Sequence, residues 1–153
     1  MLSQYLKELL TPFGNVETSR DIAGEVRQLD VLFSPKPEPE IEAIALGLLG
    51  QIAAKPAVFE PFRSPVQPGE IRSCLAKLFD LHAEFERIAA RENTRIVEAD
   101  LPILWILSPT VSDLLLAGFG AIPEPENWVN GVYFMGASLK AAIIAIHQLP
   151  CTP

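Results

Sequence analysis

A chain of 153 residues, 49% apolar and 20% charged, has the size and composition of one globular domain able to bury its own core without disulfides or metals, which excludes global disorder. Its formal net charge of −7 sets the average surface against polyphosphates, so a broad nucleic-acid face is disfavoured unless the few cations cluster. Cys74 and Cys151 sit in no Cys-x-x-Cys or Cys/His spacing, and neither a signal-peptide pattern nor an apolar run of membrane-spanning length is present, so the expectation is a cytoplasmic chain with reduced thiols and no membrane partner.

An amphipathic helix is expected first. Leu2, Tyr5, Leu6, Leu9 and Leu10 recur at helical spacing, and Thr11-Pro12-Phe13-Gly14 ends the run. Asn15 to Arg20 and Glu25 to Phe33 then read as a hairpin with its turn near Asp21 to Gly24. The second arm is the better strand, because Val26, Leu29, Val31, Leu32 and Phe33 favour extended structure before Ser34-Pro35-Lys36-Pro37-Glu38-Pro39 forces an extended connection. A helix follows over Glu40 to Ala54 on the stripe Ile41, Ile44, Ala45, Leu48 and Ile52, and Pro56 forbids its continuation. The segment Val58 to Pro65 carries too many prolines for regular structure and reads as a linker pinned by Phe59 and Phe62. Pro68-Gly69-Glu70 opens the clearest helix, with Ile71, Cys74, Leu75, Leu78, Leu81, His82, Phe85 and Ile88 on one face.

The period changes after that. Leu101 to Leu107 is a continuous apolar run, as in a strand buried on both faces, and Ser108-Pro109 ends it. Thr110 or Ser112 caps a short helix through Leu114, Leu115, Leu116 and Phe119, closed by Gly118 and Gly120. After a proline-rich acidic loop over Ile122 to Asn130, Gly131 to Gly136 and Ala141 to Leu149 read as the final strands, the stretch Ser138 to Ile146 being helical on propensity alone. The order argues for a single α/β domain over residues 1–153, a mixed central sheet with an N-terminal antiparallel hairpin, flanked by helices.

Chemistry is sparse. Side chains alternate along a strand, so Val26, Gln28, Asp30 and Leu32 share one face. Asp30 is the acidic residue among apolar neighbours, and Glu17 on the other arm is its cross-strand companion. Two carboxylates so placed suit Mg²⁺, which prefers hard oxygen ligands; otherwise Asp30 lies on a solvated face or pairs with Arg20 or Arg27. His82, on an apolar helix face with no partner at i+4, reads as a core histidine. His147 belongs to no nucleophile motif, and Gly47, Gly50, Gly118 and Gly120 form no phosphate-cradling loop. Arg63, Arg72, Arg87, Arg91 and Arg95 make either one local basic patch or, given the intervening acids, a solvated helix face. Trp105 and Trp128 read as core and loop anchor.

The segments Tyr5 to Leu10, Phe13 to Glu17 and Gly24-Glu25-Val26-Arg27-Gln28-Leu29-Asp30-Val31-Leu32-Phe33, with Phe59-Glu60-Pro61-Phe62-Arg63, Glu70 to Cys74, Leu104 to Thr110, Gly118 to Ala121 and Ile146 to Pro150, resemble an uncharacterised family common in cyanobacteria. The helix followed by Val26-Arg27-Gln28-Leu29-Asp30-Val31-Leu32-Phe33 also resembles the recombination-promoting nucleases and transposase-like proteins of the PD-(D/E)XK superfamily, whose restriction-endonuclease-like fold keeps an Asp on one strand and a Glu-x-Lys or Glu-x-Gln on the next to hold the metal and orient water. The resemblance implies Asp30 as first metal ligand and catalytic residue, Glu17 or Glu8 as the acidic residue that precedes it, and Mg²⁺ as cofactor of an active DNA endonuclease. Leu104 to Leu107, taken as the next strand, has no carboxylate and no lysine. Either Glu60, Arg63 or Glu98 has migrated in, or the fold persists as an inactive binding or assembly domain, the reading favoured here. Family members usually run on beyond Leu149-Pro150-Cys151-Thr152-Pro153, so the chain is expected to be the N-terminal part of a longer architecture, its exposed apolar face available for a homodimer.

Overall fold

The computed structural model describes residues 2–21, 28–35 and 47–150. They form four helices, α1 (Leu2–Leu10), α2 (Leu48–Ile52), α3 (Pro68–Arg91) and α4 (Asp113–Gly118), and seven strands, β1 (Gly14–Asp21), β2 (Gln28–Pro35), β3 (Ala57–Pro61), β4 (Ile103–Ser108), β5 (Ile122–Pro123), β6 (Val132–Phe134) and β7 (Ala141–Ala145). The strands make one mixed sheet in the order β1-β2-β3-β4-β7-β6-β5. The N-terminal hairpin is antiparallel and continues antiparallel into β3; β3, β4 and β7 run parallel, and β6 pairs antiparallel with β7 on one side and β5 on the other.

Alternation along the strands divides the core in two. Leu32, Val58, Leu104, Ile106 and Ile143 meet Ile71, Cys74, Leu78 and Leu81 of α3 and Leu116 of α4 on one face. Val31, Phe33, Phe59, Trp105, Ala142 and Ile144 meet Leu6 and Leu10 of α1 and Ile52 and Ala53 of the α2 turn on the other. A parallel crossover needs an intervening element long enough to return the chain, and α3 is that element between β3 and β4. Its ends are built from sequence. Pro68 stands in the first turn, and the Glu70 carboxylate accepts from the Gln67 N–H at 2.9 Å. At the other end Asn93 adopts φ 57° while the Thr94 N–H reaches the Ala89 carbonyl at 2.8 Å, a Schellman closure. Helix α4 starts on Ser112, whose hydroxyl accepts from the Leu115 N–H at 3.1 Å, and closes the same way on Gly120 at φ 64°.

Two expectations are corrected. The proline-rich linker over Val58 to Pro65 is in part strand β3, with Ala57, Val58, Phe59 and Glu60 all buried. Its prolines stand at the ends, where Pro56 offers a carbonyl to the Ile103 N–H and Pro61 closes the ladder opposite Leu107, so no interior hydrogen bond is lost. The loop after α4 also contains the two-residue strand β5, which pairs with β6. Of the helix expected over Glu40 to Ala54, residues 47–54 fall inside the described residues and form α2 with a turn at Ala53 and Ala54, and Glu25 to Arg27 of the expected strand lie outside them. Ala141 to Ala145 is strand and not helix, because five consecutive buried residues fit a strand covered on both faces.

Gly14 pairs with Pro35 at the start of the hairpin. A Cβ there would lie 2.0 Å from the Ser34 carbonyl oxygen and 2.8 Å from the Pro35 Cα. Gly14→Ala is expected to lower the unfolding free energy by about 3 kcal/mol, at the upper end for overpacking. Gly136→Ala, which meets no atom within 4 Å, should leave the urea midpoint near the parental one.

Candidate functional site

The buried core includes two polar side chains, Glu60 at 1% exposure and Ser108 at 0%. Both stand at the carboxyl ends of adjacent parallel strands. Glu60 lies opposite Ile106 and has the parity of Val58, which places it under α3. There the Lys77 ammonium closes an ion pair on Glu60 Oε1, with the lysine side chain itself only 16% exposed. A desolvated carboxylate is tolerated in such a place only with a cation against it. Asp80 and Glu84 follow Lys77 at i+3 and i+7, half-buried along the same stripe of the helix.

The β2–β3 ladder runs Val31 opposite Phe59, Leu32 opposite Val58 and Phe33 opposite Ala57. One step further along the two strands stand Asp30 and Glu60. The Asp30 side chain lies outside the described residues. Glu17, exposed on β1, stands opposite Leu32, two positions from Asp30 along β2. The strand beside β2 is therefore β3 and not the apolar β4, so the ladder supplies a carboxylate that the sequence alone placed in a linker. Of the other two candidates, Arg63 is exposed just past β3, and the Glu98 backbone carbonyl accepts from the Lys140 ammonium at 2.7 Å. Among the described residues no three His, Cys, Asp or Glu side chains gather to hold a metal ion, and no helix is long and apolar enough to cross a membrane.

Ser108 is fully engaged. Its hydroxyl accepts from the Val66 N–H at 3.0 Å and donates to the Thr110 carbonyl at 2.7 Å, tying the β3–α3 loop to the β4–α4 loop. A cleft of about 650 Å³ opens beyond this tie, lined by the start of α3, including Arg72, and by Thr110, Val111 and Phe119. On the opposite face of the sheet Trp105 packs with Trp128 and Phe134 at ring-centroid distances of 5.5 and 5.8 Å, so Trp128 anchors its loop as expected.

His82 is half-buried, at the margin of the core, and makes one hydrogen bond, its Nε2 2.8 Å from the Pro102 carbonyl. Burial holds its pKa below the ordinary 6.5, and the Lys140 charge adds to this, against the Pro102 bond and the Glu98 and Glu86 carboxylates, which raise it. Burial likewise holds the Lys140 amine below its ordinary value, against the Glu98 carboxylate. No family model, curated protein or solved structure matches the chain.

Two outcomes follow from these pairs. Removing one partner of the buried ion pair, as in Lys77→Met or Glu60→Ala, should cost about 3 kcal/mol by chemical denaturation, whereas Glu60→Leu combined with Lys77→Met should recover most of it. Equal stability of both single variants and the parent would show the pair to be idle. For His82, the unfolded chain takes up its proton at higher pH than the folded one. Its contribution is complete above pH 6.5 and is lost as pH falls from there through the lowered folded value. Urea midpoints should therefore drop on that interval in the parent and stay flatter in His82→Gln, which keeps an N–H for Pro102.

Proposed function

We propose that the chain is a PD-(D/E)XK-like domain acting on nucleic-acid phosphodiesters, centred on Asp30, Glu60 and Lys77. The register that carries Asp30 on β2 and Glu60 on β3 to adjacent positions, with Lys77 on the Glu60 carboxylate, is the observation that supports it. Glu60-Pro61-Phe62 has Phe62 where the superfamily pattern has its lysine. In this reading the ammonium comes instead from Lys77, about two and a half turns into α3.

The donor set is compatible with a hard divalent cation, since Mg²⁺ is commonly held by one or two carboxylates with waters completing its shell. Asp30 and Glu60 would hold it, and bound there it would polarise the phosphate and lower the pKa of water. Lys77 has two tasks in this scheme. It keeps Glu60 ionised in a desolvated place, and it offsets charge that develops on the phosphate during attack.

The low exposure of Glu60, 1%, favours a second reading in which the ion pair is purely structural and the domain is an inactive binding or assembly module. Exposed apolar side chains such as Leu114 at 85% and Ile122 at 66% would then supply a homodimer face. Both readings meet one experiment, incubation of the full chain with single-stranded and duplex DNA in Mg²⁺ or Mn²⁺. Cleavage that Asp30→Asn and Lys77→Met each reduce at least 100-fold, the order seen for loss of one transition-state contact, supports the hydrolase. No cleavage, with a concentration-dependent dimer by light scattering, supports the assembly module.

A further inference from the structure

We infer that the cleft at the carboxyl ends of β3 and β4 is a binding site for a small molecule carrying one anionic head on an apolar body. The site is separate from the Asp30–Glu60 ladder and stands whether or not that ladder is catalytic.

Loops that follow neighbouring parallel strands stand side by side outside the carboxyl ends of those strands and wall a concave site between them. Here those loops are the ones after β3 and β4. The volume of about 650 Å³ is in the range of small-molecule sites. Val66, Val111, Leu115 and Phe119 supply apolar wall, and Thr110 and Arg72 lie among the polar lining. On a chain of net charge −7, Arg72 is the one ionised side chain of that lining.

The walls are held before any ligand arrives. Ser108 joins Val66 on one wall to Thr110 on the other, and Ser112 is committed to the Leu115 N–H. The Glu70 carboxylate, the nearest acid on α3, is turned to the Gln67 N–H. The Arg72 guanidinium folds back toward the first turn of α3, its Nη2 4.0 Å from where a Cβ on Gly69 would stand, and it makes no ion pair among the described residues. An apolar pocket with one uncommitted planar cation selects an anion, phosphate or carboxylate, attached to something that prefers to leave water.

The matched series 2-naphthyl phosphate, 2-naphthoate and 2-naphthylmethanol separates these chemistries when titrated into the full chain and followed by naphthyl fluorescence. One of the two anions should saturate a single site at least tenfold more tightly than the neutral alcohol. If the phosphate does so the natural ligand is a phosphate ester; if the naphthoate does so it is a carboxylate. Arg72→Gln should bring that anion down to the affinity of the alcohol, Val111→Trp should weaken all three by filling the cleft, and Asp30→Asn should leave the three naphthyl affinities at their parental values. Arg72 is exposed, so its variant should keep the parental melting temperature. Absence of saturable binding by either anion would overturn the inference, as would an anion preference that survives Arg72→Gln.

Discussion

The middle of strand β4, Leu104 to Ile106, is desolvated on every side, and the rest of the architecture follows from that. Leu104 and Ile106 are fully buried against α3, and Trp105 is 2% exposed on the other face. With no water on either face or edge, each backbone N–H and C=O of the strand needs a protein partner. Strands β3 and β7 supply them, both parallel to β4. Parallel pairing on the β3 side then demands a long return, which sets the position of α3, and α3 in turn covers the face on which Glu60 sits.

That placement creates the electrostatic problem at the centre of the molecule. A glutamate on a central strand beneath a helix cannot stay ionised alone, and an aliphatic residue of similar volume would pack there at no cost. Lys77 resolves the problem locally, since its stem can pass along the apolar surface of α3 while its head reaches the carboxylate. A buried ion pair is weak evidence of stability but a plain sign that the position is not optimised for packing alone. Its neighbour one step along the β2–β3 register is Asp30, and the proposed phosphodiester chemistry rests on that adjacency.

The βαβ unit thus organises two features from one set of strand ends. Toward β2 it presents the charged pair under α3. Toward α4 it presents the acid-free cleft that Ser108 holds in shape. Ser108 itself is buried and satisfied twice, which is the condition under which a hydroxyl rigidifies a core instead of destabilising it.

Much of this was written locally in the chain. The period of Ile71 to Ile88 specified α3 and Pro68 its start, Thr110 or Ser112 with Gly118 and Gly120 the limits of α4, and the unbroken run Leu101 to Leu107 a strand covered on both faces, because caps and periodicity act over a few residues and are visible there. The single hydrogen bond of His82 was equally legible, since an isolated imidazole on an apolar helix face has few alternatives, although the ring stays half-buried at the margin of the core. Strand β3 was not, because prolines at both ends of four residues look the same as prolines in a loop until a neighbour on each side shows that no interior hydrogen bond is missing. The partnership of Glu60 with Lys77 and its adjacency to Asp30 also came only from the tertiary structure. Strand order and register are decided by which faces can be buried together, a property of the whole sheet that no single segment carries.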